Sequence, residues 1–91
     1  MNNSEIGQVF REIADLLERK KESWFKIRAY RKAADSIESQ QVAVAELATT
    51  GRLREIPGVG EAIARKITEL VATGRLQYHE KLKAEIVGET K

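Results

Sequence analysis

Ile56-Pro57-Gly58-Val59-Gly60-Glu61-Ala62-Ile63-Ala64-Arg65-Lys66-Ile67 is the stretch whose chemistry decides the architecture of this chain. Pro57 has no N–H and disfavours helix in the residue before it, so any helix arriving at Ile56 must stop there. Gly58 and Gly60 then allow backbone angles that other residues resist. Beyond them Ile63, Ile67, Leu70 and Val71 recur at helical steps as far as Thr73, with Gly74 placed to end the run. A helix that opens directly after a glycine turn exposes unpaired N–H groups and the positive end of its dipole, with no Cβ in the way of an anion. Val59 is expected to turn inward as a plug, while the N–H groups near Gly58, Gly60 and Ala62 face an anionic oxygen and Arg65 and Lys66 follow one turn later. Such turns also serve simple chain reversal, so the turn alone does not distinguish the two uses.

Working outward, the pattern is helical throughout. Ile6, Val9, Phe10, Ile13, Leu16 and Leu17 predict an amphipathic helix over 4–20 with an Asn3 or Ser4 cap. A second helix carries Ile27, Tyr30, Ala33, Ala34 and Ile37 on one side and turns Arg28, Arg31 and Lys32 away from it. A third covers 42–50 and ends at Gly51, a short helical turn covers 53–56, and a fifth helix covers 76–86. The expected fold is therefore all-α: one domain, 1–91, built as a bundle of about five short helices, with 1–3 and 87–91 fraying. Glu46 to Leu53 and Glu69 to Leu76 agree at six of eight positions, 23 residues apart. Shared capping chemistry, a glycine that ends a helix and a leucine that packs back, accounts for the match without a solenoid repeat.

Composition narrows the function classes. The 91 residues contain no Cys, which excludes disulfide scaffolds, thiolate metal sites and thiol nucleophiles. No run approaches the roughly 18 apolar residues of a membrane span, and the start, Met1-Asn2-Asn3-Ser4, has no signal character. A cytoplasmic protein without membrane partners is expected, nucleoid-associated in a bacterium. The net charge of +2 is too mild to identify a nucleic-acid binder. Its distribution is more telling: residues 19–32 hold Arg19, Lys20, Lys21, Lys26, Arg28, Arg31 and Lys32 against the single acid Glu22, whereas 1–18 sum to −3. A solvated charge run has the same signature.

Ile56-Pro57-Gly58-Val59-Gly60 followed by Ile63, Ala64, Lys66 and Ile67 resembles the helix-hairpin-helix motif of DNA repair and replication proteins. Phe25 to Ala34, then the hairpin, then Ala72-Thr73-Gly74-Arg75-Leu76, is similar to the N-terminal domain of family X DNA polymerases, which include DNA polymerase beta. The likeness covers 6–86 and implies a SAM-like helical fold with sequence-independent grip on duplex, nicked or gapped DNA. The DNA-binding positions would be Gly58, Val59, Gly60, Ala62, Arg65, Lys66, Lys26, Arg28, Tyr30 and Arg31. No cofactor is required, but the resemblance implies a monovalent cation, Na+ or K+, held by the backbone carbonyls of Arg54, Ile56 and Val59. It also implies a monomer, free or joined to the other domains of a repair polymerase.

In lyase-competent relatives of that family, a lysine at the position of Lys66 forms a Schiff base with the deoxyribose aldehyde of an abasic 5′ end. That chemistry needs an amine that is neutral part of the time. Of the family's 5′-phosphate pocket this chain keeps Lys26 and Tyr30, four residues apart on one helical face. Phe25 stands where a pocket histidine occurs, Ala62 and Tyr78 replace lysines, and Glu61 adds negative charge. The bland reading pairs Lys66 with Glu69, three residues on. Three functions thus remain: a DNA-binding module, a deoxyribose-phosphate lyase with Lys66 as nucleophile, and a helical protein-interaction module. His79 has no partner at metal-ligand spacing and is expected on the surface. Trp24 and Tyr30 are expected in the core, base stacking being the alternative. The carboxylate trio of a two-metal polymerase site is not recognisable, so the chain would not polymerise alone.

Overall fold

The structure, a computed structural model, describes residues 1–89. It contains α1 (Asn3–Arg19), α2 (Trp24–Ser39), α3 (Val44–Thr49), a 3-10 turn (Leu53–Glu55), α4 (Glu61–Thr73) and α5 (Gln77–Glu89). There is no strand among the described residues, and no helix is long and apolar enough to cross a membrane.

α1 is capped at its first turn. The Asn2 side chain accepts from Glu5 N at 2.8 Å, and the Glu5 carboxylate accepts from Asn2 N at 2.9 Å. This reciprocal capping box makes Asn2 the cap, in place of the Asn3 or Ser4 expected. Asn3 is used elsewhere: its Oδ1 accepts from Val44 N at 2.8 Å and its Nδ2 donates to the Val42 carbonyl at 2.9 Å. It holds the start of α3, which opens at Val44 and leaves Val42 exposed, two residues later than periodicity predicts. α5 runs through Glu89; residues 90–91, the end of the stretch expected to fray, lie outside the described residues.

α1 and α2 form an antiparallel pair, as their ion pairs show. Arg11 reaches Asp35 at 2.6 Å and Glu38 at 2.5 Å, while Arg31, earlier on α2, reaches Glu18 at 3.2 Å and Asp15 at 3.4 Å, later on α1. Phe10, Ile13, Leu17, Tyr30 and Ile37 fill the space between these helices. Ile56, Val59, Ile63, Ile67 and Leu70 carry the same core under α4. α5 lies along α1, joined by the Lys20–Glu85 pair and by His79 against Glu12. The two similar octets both end helices. Gly51 at φ +69 is followed by the Arg52 N–H bonding to the Leu47 carbonyl at 2.8 Å, and Gly74 at φ +77 bonds to the Leu70 carbonyl at 2.7 Å. Leu53 and Leu76 then return to the core, so capping chemistry accounts for the similarity.

Candidate nucleic-acid interface

Pro57 leaves Ile56 extended at φ −74°, ψ 126°, and the Val59 N–H donates to the Ile56 carbonyl at 3.0 Å. With Pro57 second and Gly58 third at φ +83°, this is a type II turn, whose third position requires positive φ. Ile56 and Val59 are buried and peg the turn to the core; Pro57, Gly58 and Gly60 are exposed. Val59 thus takes the inward position expected of it. Gly60, the residue before α4, has φ −92° and ψ −170°, extended backbone that any residue adopts. A Cβ there would meet nothing within 4 Å.

Gly60 has no side chain to cap α4, and its carbonyl accepts only the Ala64 N–H, at 2.9 Å. The N–H groups of Gly58, Gly60, Glu61, Ala62 and Ile63 have no hydrogen-bond partner among the described residues. An anion-receptive helix start therefore faces solvent. Arg65 follows it but already holds Glu61 at 2.7 Å. Both partners are well exposed, and such an i,i+4 pair is worth only about 0.3–0.5 kcal/mol, so a phosphate would displace the carboxylate readily. The carbonyls of Arg54 and Val59 receive no donor among the described residues, whereas that of Ile56 takes the Val59 N–H.

A second group of expected residues converges beside α4. The Lys66 ammonium stands 5.0 Å from the centre of the Tyr78 ring and that of Lys26 stands 5.8 Å from it. Tyr78 stacks on Tyr30 at 6.0 Å, and Tyr30 on Phe10 at 6.0 Å, so a ladder of three rings climbs from the core to two lysines. Tyr30 is itself core, which leaves Tyr78 as the ring the lysines see. Burial first, and the neighbouring Tyr78 second, push the Tyr30 hydroxyl up to about 12, so it stays neutral. Lys66 is half-buried and makes no ion pair among the described residues. The expected Lys66–Glu69 pair does not form, because the Glu69 carboxylate accepts from Gln77 N at 2.8 Å and caps α5.

The basic run of α2 divides. Arg31 turns toward α1, held by Asp15 and Glu18, and so does not join Arg28 and Lys32 in facing away from the core. Arg28 and Lys32, four residues apart, are exposed. The Lys32 stem lies against the hairpin: a Cβ on Gly58 would stand 3.1 Å from its Cγ and 3.4 Å from its Cε.

Two expectations outside this surface are corrected. His79 is buried, 8% exposed, with Nε2 lacking a hydrogen bond and lying 3.4 Å from Glu12 Oε2. The signal was present, since Leu76, His79, Leu82 and Ile86 share the buried side of α5. Trp24 is 57% exposed and Phe25 83%, because both sit in the first turn of α2, beyond the edge of the core. No group of three His, Cys, Asp or Glu residues able to hold a metal occurs among the described residues.

The surface thus combines an uncapped helix start behind a proline-glycine turn, two apolar pegs that hold the turn, and lysines from two other positions. The helix-hairpin-helix domain description matches residues 1–76, which take in everything from α1 to the turn before α5. With that match and this turn, the chain belongs to the helix-hairpin-helix domain family.

Proposed function

We propose that the chain binds the sugar-phosphate backbone of duplex, nicked or gapped DNA without reading base sequence, as a monomer, in the manner of the N-terminal domain of a family X repair polymerase. Gly60 carries this reading. In the free chain its φ is ordinary and the space for a Cβ is open, so neither strain nor packing asks for glycine. What a Cβ there would obstruct is the approach to the N–H groups that open α4. A phosphate oxygen placed before Gly60 and Ala62 receives those N–H groups and the helix dipole together.

The phosphate contacts would fix position and carry no sequence information, because amides and ammonium groups see the same oxygen at every nucleotide. The carbonyls of Arg54, Ile56 and Val59 fit a hard monovalent cation, which is served by neutral oxygen donors, and two of the three are free of donors among the described residues. Such an ion would supply positive charge beside the phosphate. Lys26 and Lys66 form a second phosphate-binding position. They are read as binding rather than Schiff-base groups because Ala62, Phe25 and Tyr78 stand where the family resemblance supplies cations or histidine.

The test is an amide NMR titration of the chain with a short gapped duplex. Shifts concentrated at 58–66 and 26–32 are expected, with apparent affinity falling steeply with salt, about 0.9 in log-log slope per phosphate neutralised. Shifts spread evenly over the molecule, or none, would overturn the reading.

A further inference from the structure

We infer that Lys32 is a backbone-contacting residue of the hairpin, delivered to it across the fold from α2; the inference rests on the DNA-binding reading above. Gly58 sits at φ +83°, and the space its side chain would occupy is filled from outside by the Lys32 stem, with Cγ, Cδ and Cε all within 3.4 Å of the Cβ position. The contact is between an aliphatic stem and bare backbone, a geometry that shelters methylenes and leaves the charged head in water. One bond beyond Cε, the ammonium stands beside the exposed turn whose Gly58 and Gly60 amides are unpartnered among the described residues.

Two nearby cations are already engaged. Arg65 is engaged by Glu61 at 2.7 Å, and Arg31 by Glu18 and Asp15 at 3.2 and 3.4 Å. Lys32 makes no ion pair among the described residues. Its stem already lies against the turn in the free protein, so holding the ammonium near a phosphate costs less side-chain entropy than recruiting a lysine that extends into solvent. The hairpin site is therefore built from two elements far apart in the chain: α4 supplies oriented N–H groups and α2 supplies the charge. Arg28, one turn earlier on the same face of α2, extends that charge away from the turn.

The experiment is fluorescence anisotropy with an end-labelled gapped duplex at a series of salt concentrations, using wild type, Lys32→Met, Lys32→Arg and Lys81→Met. Methionine keeps the stem that packs on Gly58 and removes the charge; arginine keeps charge with a similar stem. Losing one phosphate contact lowers the log-log slope by about 0.9, which amounts to roughly eightfold weaker binding at 0.1 M salt and almost none near 1 M. Lys32→Met is expected to show that change with an unaltered melting temperature, Lys32→Arg to restore binding, and Lys81→Met, on α5, to behave as wild type. An unchanged slope in Lys32→Met, beside a wild type whose binding falls with salt, overturns the role of Lys32 alone. Weakening that is independent of salt in both Lys32 variants means the lysine only packs, and also overturns it. Salt-independent or absent binding by wild type overturns the DNA-binding reading instead.

Discussion

Gly60→Ala separates binding from stability, because each term can be worked from the structure. The residue's φ of −92° suits alanine, and its Cβ would enter open space. Replacing glycine by alanine at a compatible position stabilises by about 0.4–1 kcal/mol through the unfolded chain. Alanine is a poorer residue before a helix than glycine, a cost of roughly 0.5–1 kcal/mol. The two nearly cancel, so the melting temperature should move by no more than about 4 °C. Gly58→Ala differs: its φ of +83° would cost about 1–2 kcal/mol in strain, or roughly 5–15 °C, before the Lys32 stem is disturbed. In the proposed complex, the methyl of Gly60→Ala would stand in the path to the α4 amides. A hydrogen bond to a charged group is worth about 1.5–3 kcal/mol, and at this exposed site the lower end applies, so affinity should fall by about tenfold. Anisotropy against a labelled gapped duplex measures the affinity and a thermal melt the stability. Wild-type affinity in Gly60→Ala would refute the assignment of those amides to phosphate, as would loss of binding accompanied by a large fall in melting temperature.

Three further outcomes are expected. Lys21 ends α1 at φ +60°, a non-glycine residue in the left-handed region, bonded Lys21 N to Glu18 O and Glu22 N to Leu17 O, each at 3.0 Å. Lys21→Gly keeps these bonds without the strain and should raise stability by about 1 kcal/mol in a thermal or urea melt; no gain would mean the strain is relieved elsewhere. The His79 ring is held below its ordinary pKa by burial, with Glu12 opposing and Lys83 adding to the shift. The unfolded chain therefore takes up that proton more readily, so stability contributed by the neutral ring is present above about pH 6.5 and declines as pH falls below it. A denaturant series over pH should show the decline in wild type and its reduction in His79→Leu; parallel curves would remove His79 from the account. Finally, borohydride treatment of the chain with DNA bearing a 5′ deoxyribose phosphate should leave no covalent adduct, since Tyr78 and Ala62 leave the Lys66 pocket short of cations. An adduct that disappears in Lys66→Ala would establish the lyase reading.

The hairpin was legible in the sequence because proline and glycine constrain the backbone locally: Pro57 forces the break and Gly58 alone tolerates the turn, whatever surrounds them. The core stripes of α1, α2 and α4 were legible for the same reason, periodicity being a property of each helix by itself. What was not legible depends on partners distant in sequence. Asn3 looks like a cap for α1 and instead caps α3, 41 residues away. Arg31 borders the Tyr30 stripe, and only the placement of α1 beside it supplies Asp15 and Glu18. Lys66 and Glu69 are neighbours on a helix, yet the carboxylate is drawn off by the α5 amide, and the ammonium turns to a ring that sequence spacing does not bring near it. Trp24 continues the α2 stripe by three residues but overhangs the end of the core.

The Glu69 cap on α5 also makes the starts of two successive helices unequal. α4 and α5 both open shortly after a glycine, and left alone each would offer a similar positive terminus. By spending an internal carboxylate on the second, the fold quenches the positive pole of α5 from within and leaves that of α4 without a side-chain cap.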